Sequence, residues 1–158
     1  MSEKIVKCAY KYCSYKDRNL PIEDAILVGK STYYHKECYK QNEEIKEIIE
    51  LFKTHIDPLV VFSQLRTVIN NIIFNKAVGS EYLLFALKYV INNKINLKHA
   101  MGLHYIIGYK NIQNAYMKEK SKITYEQKNK IEITNTEDLP FYFNPTKQKN
   151  FNDIIKEW

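Results

Sequence analysis

The chain has 158 residues, of which 24 are basic and 18 acidic, and its formal net charge is +6. This length supports one modest domain, or a small module followed by a helical body and a tail. No apolar run approaches the roughly 20 residues of a membrane-spanning helix, and the positive charge suggests nucleic acid or an acidic protein surface as partner. Almost all of the basic residues are lysines. This argues against sequence-specific recognition of DNA bases, which relies on arginine. An AT-rich coding genome would explain the lysine content equally well.

The cysteines and one histidine form two close pairs, Cys8 with Cys13 and His35 with Cys38. Each pair can hold a metal ion from one tight turn, and three thiolates with one imidazole are a typical donor set for tetrahedral zinc. The alternative is three free thiols and a surface histidine. A disulfide would leave one cysteine unpaired, and no apolar signal segment precedes the cysteines, so we expect a reducing cytoplasmic environment. The sequence therefore predicts a structural Zn²⁺ site.

The segment between the two pairs predicts a β-hairpin, with a strand from Ile22, a turn at Gly29-Lys30 and a second strand that delivers His35. A helix is expected from Glu37 onward. A hairpin followed by a helix that carries the last ligand resembles LIM-type and other treble-clef zinc modules, here over residues 5–42. The first cysteine pair departs from LIM modules in its wider spacing. The resemblance implies a closed structural site without an open position for a catalytic water.

From Lys40 to about Lys120 the apolar residues recur at helical spacing, which predicts a bundle of four to five helices. The first helix leaves the zinc site with one apolar face, consisting of Ile45, Ile48, Ile49 and Phe52. Asp57-Pro58 is a typical helix start, so a second helix is predicted from there to near Gly79. Its inward-facing residues are predicted to be Val61, Phe62, Leu65, Val68, Ile69, Ile72 and Ile73.

Ser80 is predicted to cap a third helix, which ends at Asn92-Asn93. A fourth helix is predicted from Leu97, and Gly108 interrupts it before helical spacing resumes. The apolar face of this fourth helix is predicted to contain Leu97, Ala100, Met101, His104 and Ile107.

The segment 84–107, within a match of about residues 80–120, resembles the C-terminal helical domain of DnaD-type primosome proteins. The likeness consists of a helix of similar pattern, a short basic and polar turn, and a second helix. Ala100-Met101 stands where those proteins have a Tyr-Ile pair, and the typical Trp is missing. The resemblance implies a replication-loading factor that contacts single-stranded DNA and a helicase.

Neither the other histidines nor the sequence motifs of the chain indicate an enzyme. His99 and His104 are five residues apart, which does not align them on one helix face, and we interpret them as surface or half-buried residues. Phosphate loops, nucleophile elbows and zincin motifs are missing from the sequence. A metal-dependent nuclease is disfavoured because the predicted ligand set is already complete.

The last part of the chain is predicted to be a linker and a tail. Ser121–Asp138 is polar and lysine-rich, and predicts a linker or an edge strand, with the strand at Lys130–Thr134. The apolar run Asp138–Phe143 loosely resembles the short peptides by which bacterial proteins bind the sliding clamp. The final eight residues form one apolar helical stripe, which either docks on its own bundle or anchors in a groove of a partner. The predicted partner-binding residues are Phe141, Tyr142, Phe143, Phe151, Ile154, Ile155 and Trp158.

Together these patterns predict a mainly α protein, with a zinc-binding β-hairpin module in residues 1–40, a helical bundle in 41–120 and a tail in 121–158. The favoured function is that of a non-catalytic zinc-finger protein of a phage or mobile element. It would bind and modulate a host complex of replication, transcription or defence, including inhibition of a CRISPR effector. The alternative is a DnaD-type replication factor that binds nucleic acid through its lysine-rich surface. The oligomeric state stays open.

Overall fold

The structure, a computed structural model, describes the backbone of residues 4–134 and the side chains of residues 4–126. The described part begins with four short strands, β1 (Ile5–Lys7), β2 (Asn19–Pro21), β3 (Ala25–Leu27) and β4 (Tyr33–His35). Its helices are α1 (Lys36–His55), α2 (Phe62–Asn70), α3 (Ser80–Asn92), α4 (Leu103–Ile106) and α5 (Lys110–Thr134). The predicted fold class, mainly α with an N-terminal β module, is confirmed. The predicted partner-binding residues 141–158 lie outside the described residues.

The N-terminal module consists of two antiparallel hairpins. The predicted hairpin is β3 with β4, in which Ala25 lies opposite His35. The other hairpin, β1 with β2, pairs Val6 with Leu20, and the sequence analysis did not recognise it. A hydrogen bond from the Ala9 amide to the Tyr33 carbonyl, 2.9 Å long, joins the two hairpins. Three-residue strands carry little periodicity, which is why one of these pairs was missed.

Helix α1 leads from this module into the helical bundle, and its predicted apolar face is buried as expected. Phe52 and Ile48 are fully buried on this face, which packs mainly against α3. The residues of the bundle core are Ile45, Ile48, Ile49, Phe52, Leu65, Val68, Ile69, Ile72, Ile73, Leu83, Leu84, Ala86, Leu87, Val90, Leu103, Ile106 and Ile112. One continuous apolar core therefore holds all of the helices of residues 36–120 together.

The second helix begins later than predicted, at Phe62 and not at Asp57. The Asp57 carboxylate accepts the amide hydrogen of Leu59 at 3.0 Å, so Asp57 closes a local turn and caps no helix. The prediction that Val61 and Phe62 face inward is wrong, because the turn leaves both exposed. The other predicted inward residues, Leu65, Val68, Ile69, Ile72 and Ile73, are buried. Residues Asn71–Asn75 prolong α2 by one π-helical turn.

The third helix has the predicted bounds but a different cap. Gly79 occupies the N-cap position, while the buried Ser80 hydroxyl donates a hydrogen bond to the Glu44 carboxylate on α1. Ser80 therefore ties α3 to α1, and the predicted capping role is wrong. The helix ends at Asn92, as predicted.

The predicted fourth helix is largely replaced by a loop. Only a 3-10 turn, Ala100–Gly102, and the four-residue α4 are helical between residues 93 and 109. The loop folds back so closely that a Cβ on Gly102 would clash with Leu97 Cδ1. This fold-back buries Leu103 and Ile106, whereas Met101 is exposed, so the predicted apolar face is wrong at that residue.

Helix α5 begins after Gly108, as the interruption predicts, and its Ile112 enters the bundle core. The helix continues to Thr134, so the strand predicted at Lys130–Thr134 is wrong. The described residues divide after Lys120, and residues 4–120 form one compact unit. Within the described helices, no segment has the length and apolar character needed to cross a membrane.

Candidate metal centre

The structure brings the four predicted ligands together at the junction of the module and α1. The ligand atoms of Cys8, Cys13, His35 and Cys38 all lie within 4.8 Å of one another. His35 Nδ1 is 3.5 Å from Cys13 Sγ and 3.8 Å from Cys38 Sγ. Tetrahedral coordination with ordinary Zn–S and Zn–N bond lengths places such atoms about 3.6 Å apart. The two separations from His35 therefore match those of a tetrahedral metal site.

Local backbone structure positions each ligand. Cys8 follows β1, where its amide donates to the Arg18 carbonyl at 2.8 Å. The amide of Cys13 donates to the Tyr10 carbonyl at 3.2 Å, which closes a tight turn between the two cysteines. We call residues 8–13 the zinc knuckle. His35 ends β4 and Cys38 lies in the first turn of α1, so the second pair is held at a strand-to-helix junction.

The electrostatics of the cluster favour a cation. Burial tends to raise the pKa of Cys8, but backbone hydrogen bonds from His35 and Tyr10 lower it below its usual value. Burial raises the pKa of Cys38 to about 12, and the neighbouring Cys13 and Cys8 thiols contribute to this increase. Three thiolates at this distance repel one another, and a divalent cation removes that repulsion. The ionised cluster is thus complementary to a metal ion.

Tyr15 covers one face of the ligand His35. Its ring stacks on the imidazole with a centroid distance of 4.1 Å and an angle of 22° between the planes. The Tyr15 hydroxyl donates to Glu37 Oε2 at 2.7 Å, and this hydrogen bond lowers the pKa of Glu37. Partners outside the ligand set orient the ligands of metal sites. No sequence signal marks Tyr15, because its contacts lie 20 or more residues away.

The zinc knuckle is anchored on the helical bundle by Tyr12. The Tyr12 ring stacks on Phe74 with a centroid distance of 4.1 Å, and the Asn70 side-chain amide donates to the Tyr12 hydroxyl at 3.2 Å. Tyr10, also in the knuckle, is buried, and burial raises its pKa to about 12, so that its hydroxyl remains a proton donor. Sequence reasoning missed both tyrosines, although their position between two ligands is a usable signal.

A second metal cluster is missing from the side chains described, residues 4–126. His99 is exposed and His104 is half-buried, as the sequence analysis expects. Burial lowers the pKa of His104, and the positive charge of Lys76 adds to this effect. Burial therefore favours the neutral form of His104, and among the described side chains it joins no cluster of metal-ligating residues.

Comparisons of the chain with protein-family models, with curated proteins and with solved structures give no match. The treble-clef and DnaD-type resemblances therefore stay predictions from the sequence.

Proposed function

We propose that the protein is a non-catalytic binding protein, in which structural Zn²⁺ holds the N-terminal module on the bundle and an exposed apolar surface engages a partner protein. The observation that carries this proposal is the exposure of Leu59, in the loop between α1 and α2. Its side chain is 91% exposed, although leucine is among the residues most often buried.

The neighbours of Leu59 extend this apolar surface. Val61 and Phe62 are also exposed, and Met101, which is 60% exposed, lines the same cavity of about 580 Å³ as Leu59 and Val61. Contiguous exposed apolar residues mark interaction sites on proteins. We call Leu59, Val61, Phe62 and Met101 the apolar loop surface.

The loop holds Leu59 outward by a defined backbone structure. Asp57 accepts hydrogen bonds from the amides of Leu59, at 3.0 Å to its carboxylate, and of Val60, at 3.2 Å to its carbonyl. Val60 in turn packs against the bundle core. Because the residues on both sides are tied down, the exposure of Leu59 is a property of the fold and not of a fraying end.

The metal centre supports a non-catalytic role. Four protein ligands complete a tetrahedral zinc site, whereas catalytic zinc keeps one position for water or substrate. A protein of this kind acts by occupying a surface of its partner. The partner class proposed from the sequence is a host complex of replication, transcription or defence, which the protein modulates or inhibits.

Affinity purification from the natural host tests this function with a matched pair of variants. Leu59→Asp places a charge in the apolar loop surface, while Leu27→Asp does the same at an exposed leucine of the β3–β4 hairpin. We expect one protein complex to co-purify with the wild type and with Leu27→Asp, and to be lost with Leu59→Asp. Equal recovery with both variants would contradict the assignment of this surface. Recovery of nucleic acid alone would instead favour the DnaD-type alternative.

A further inference from the structure

We propose that a groove between the zinc knuckle, α1 and α2 binds an acidic amphipathic helix of the partner protein. This inference rests on the proposed function and specifies the chemistry of the partner. The groove consists of two cavities, of about 590 and 260 Å³, which share Asn42, Ile45 and Arg66 in their walls. We call the joined cavities the α1–α2 groove. It runs from the zinc knuckle to the start of the apolar loop surface.

The larger cavity supplies an apolar floor. Ile45 and Ile49 of α1 line one side, and Pro58 and Phe62 line the other. A floor of this kind accepts the apolar stripe of an amphipathic helix, whose side chains recur every three to four residues. Phe62 lines the groove and directly follows Val61 in the chain, so the groove reaches one end of the apolar loop surface.

The rim of the groove is mainly positive. Lys53 and Arg66 line the larger cavity and Lys11 the smaller, against the single acidic residue Glu50. Lys46 also lines the groove, but it is paired with Glu43 at 2.8 Å. Within residues 4–126, no carboxylate lies at salt-bridge distance from Arg66, whose guanidinium is 5.9 Å from the Phe62 ring centroid. The groove is therefore complementary to acidic side chains.

Tyr10, in the wall of the smaller cavity, has a buried hydroxyl that lacks an acceptor. Tyr10 lines this cavity and is only 5% exposed, and its hydroxyl has no hydrogen-bond partner among the described residues. Buried polar groups in proteins are normally hydrogen-bonded, so an unpaired hydroxyl indicates a missing partner. A carboxylate of the bound segment can pair with Arg66, which also lines this cavity, and it can accept from Tyr10 once a shift of that side chain exposes the hydroxyl, which is buried in the free protein.

Nucleic acid is the less suitable occupant. Its phosphates would pair with Arg66 and the lysines, and its bases could stack on Tyr12 or Tyr34. The larger cavity, however, has an apolar floor, which matches apolar side chains and not the sugar-phosphate backbone. An acidic helix with an apolar stripe can pack its apolar side chains on the floor of the groove. Its carboxylates can pair with the cations of the rim and accept a hydrogen bond from Tyr10.

Fluorescence anisotropy with labelled model peptides tests this inference on the full-length, zinc-loaded protein. The first peptide is a 16-residue helix that carries Leu along one face, at positions i, i+3, i+4 and i+7, and Glu at the other positions. The second replaces every Glu by Lys, and the third replaces every Leu by Ser. We expect the Leu/Glu peptide to bind at least about tenfold more tightly than either of the others, because only it matches both floor and rim.

Two variants and a matched control assign that binding to the groove. Arg66→Gln and Tyr10→Phe are each expected to weaken binding of the Leu/Glu peptide about tenfold, since each removes a donor to the carboxylate. Arg18→Gln removes the same charge from the exposed arginine of the zinc module, outside the groove, and is expected to leave binding unchanged. Zinc content and circular dichroism establish that each variant is folded.

Three outcomes would overturn the inference: equal binding of the Leu/Lys peptide, equal effects of Arg66→Gln and Arg18→Gln, or displacement of the Leu/Glu peptide by a thymidine oligonucleotide at similar concentration. These outcomes are separable from failure of the proposed function. If the host complex still depends on Leu59 but the peptides show no preference, only the inference about the groove is wrong. If no host protein depends on Leu59 but the Leu/Glu peptide binds through Arg66, only the proposed function is wrong.

Discussion

Replacing Cys13 by Ser isolates the contribution of the metal to the fold. Cys8 and Cys38 are buried and belong to the small core of the module, whereas Cys13 is only half-buried, so its replacement disturbs packing least. The exchange of sulfur for oxygen removes one of the four soft or borderline ligands and opens the metal site. We expect the variant to lose Zn²⁺ to a chelator that leaves the wild type loaded.

The structure indicates how much stability depends on this ion. The core of the module contains four buried residues, and Tyr10 and Leu20 are the large non-ligand side chains among them. Their burial contributes about 1.5–3 kcal/mol each. Structural zinc contributes about 10–16 kcal/mol in comparable small modules. The bundle, with 17 buried core residues, needs no such support. Loss of the metal should therefore unfold residues 4–34 and leave α2 and α3 folded.

Amide hydrogen exchange read by mass spectrometry measures this difference by region. In Cys13→Ser, and in the wild type after chelation, the amides of Cys8, Ala9 and Ile22 should exchange as in an unfolded chain, although they are hydrogen-bonded in the structure. Helix α3 should keep its protection. His35→Asn should show the same loss of protection as Cys13→Ser. His99→Asn, which replaces an exposed histidine, should exchange like the wild type. Full protection of residues 4–34 in metal-free Cys13→Ser would refute the reasoning.

Three further predictions concern the metal ligands and the core of the bundle. Tyr15→Ala removes the ring that covers His35 and should weaken metal affinity about tenfold in a chelator competition, whereas Tyr15→Phe should retain most of it; equal loss would contradict the stacking argument. Metal uptake should release at least one proton, because burial raises the pKa of the Cys38 thiol to about 12 and this thiol must ionise to bind the ion. The affinity should then rise with pH, and a pH-independent affinity would exclude Cys38 as a ligand. Phe52→Ala should lower the free energy of unfolding of the bundle by about 3–5 kcal/mol in a denaturant titration, because Phe52 is fully buried. Leu59→Ala should change it by less than about 0.5 kcal/mol, because Leu59 is exposed. Similar effects of the two variants would contradict the burial of Phe52 and the exposure of Leu59.

The helix faces and the metal ligands are the features that can be read from the sequence. Ile45, Ile48, Ile49 and Phe52 are buried together because a helical repeat places them on one face whatever the partner helix. Cys8 and Cys13 lie close because a tight turn between them suffices. Both features depend on residues within a few positions of one another, so local geometry determines them.

The errors of the sequence analysis occur where a local signal had two structural outcomes. Asp57-Pro58 is compatible with a helix cap and with a turn, and the turn allows Val60 to pack against the core. The Ser80 hydroxyl can cap its own helix or form a hydrogen bond to another helix. In the structure it donates to Glu44 of α1 and so takes the second role. In both cases a contact with another element selects between two conformations of similar local energy.

The sequence by itself determined which residues form the candidate metal cluster and which helix faces are buried, because both follow from short-range spacing. The tertiary structure alone decided which apolar residues stay exposed and which distant residues line one groove. Asn70 reaches Tyr12 across 58 residues of chain, and the α1–α2 groove joins the zinc knuckle to Arg66. Groups so far apart in the chain meet only when the bundle core closes, and no local pattern encodes which of them will lie side by side.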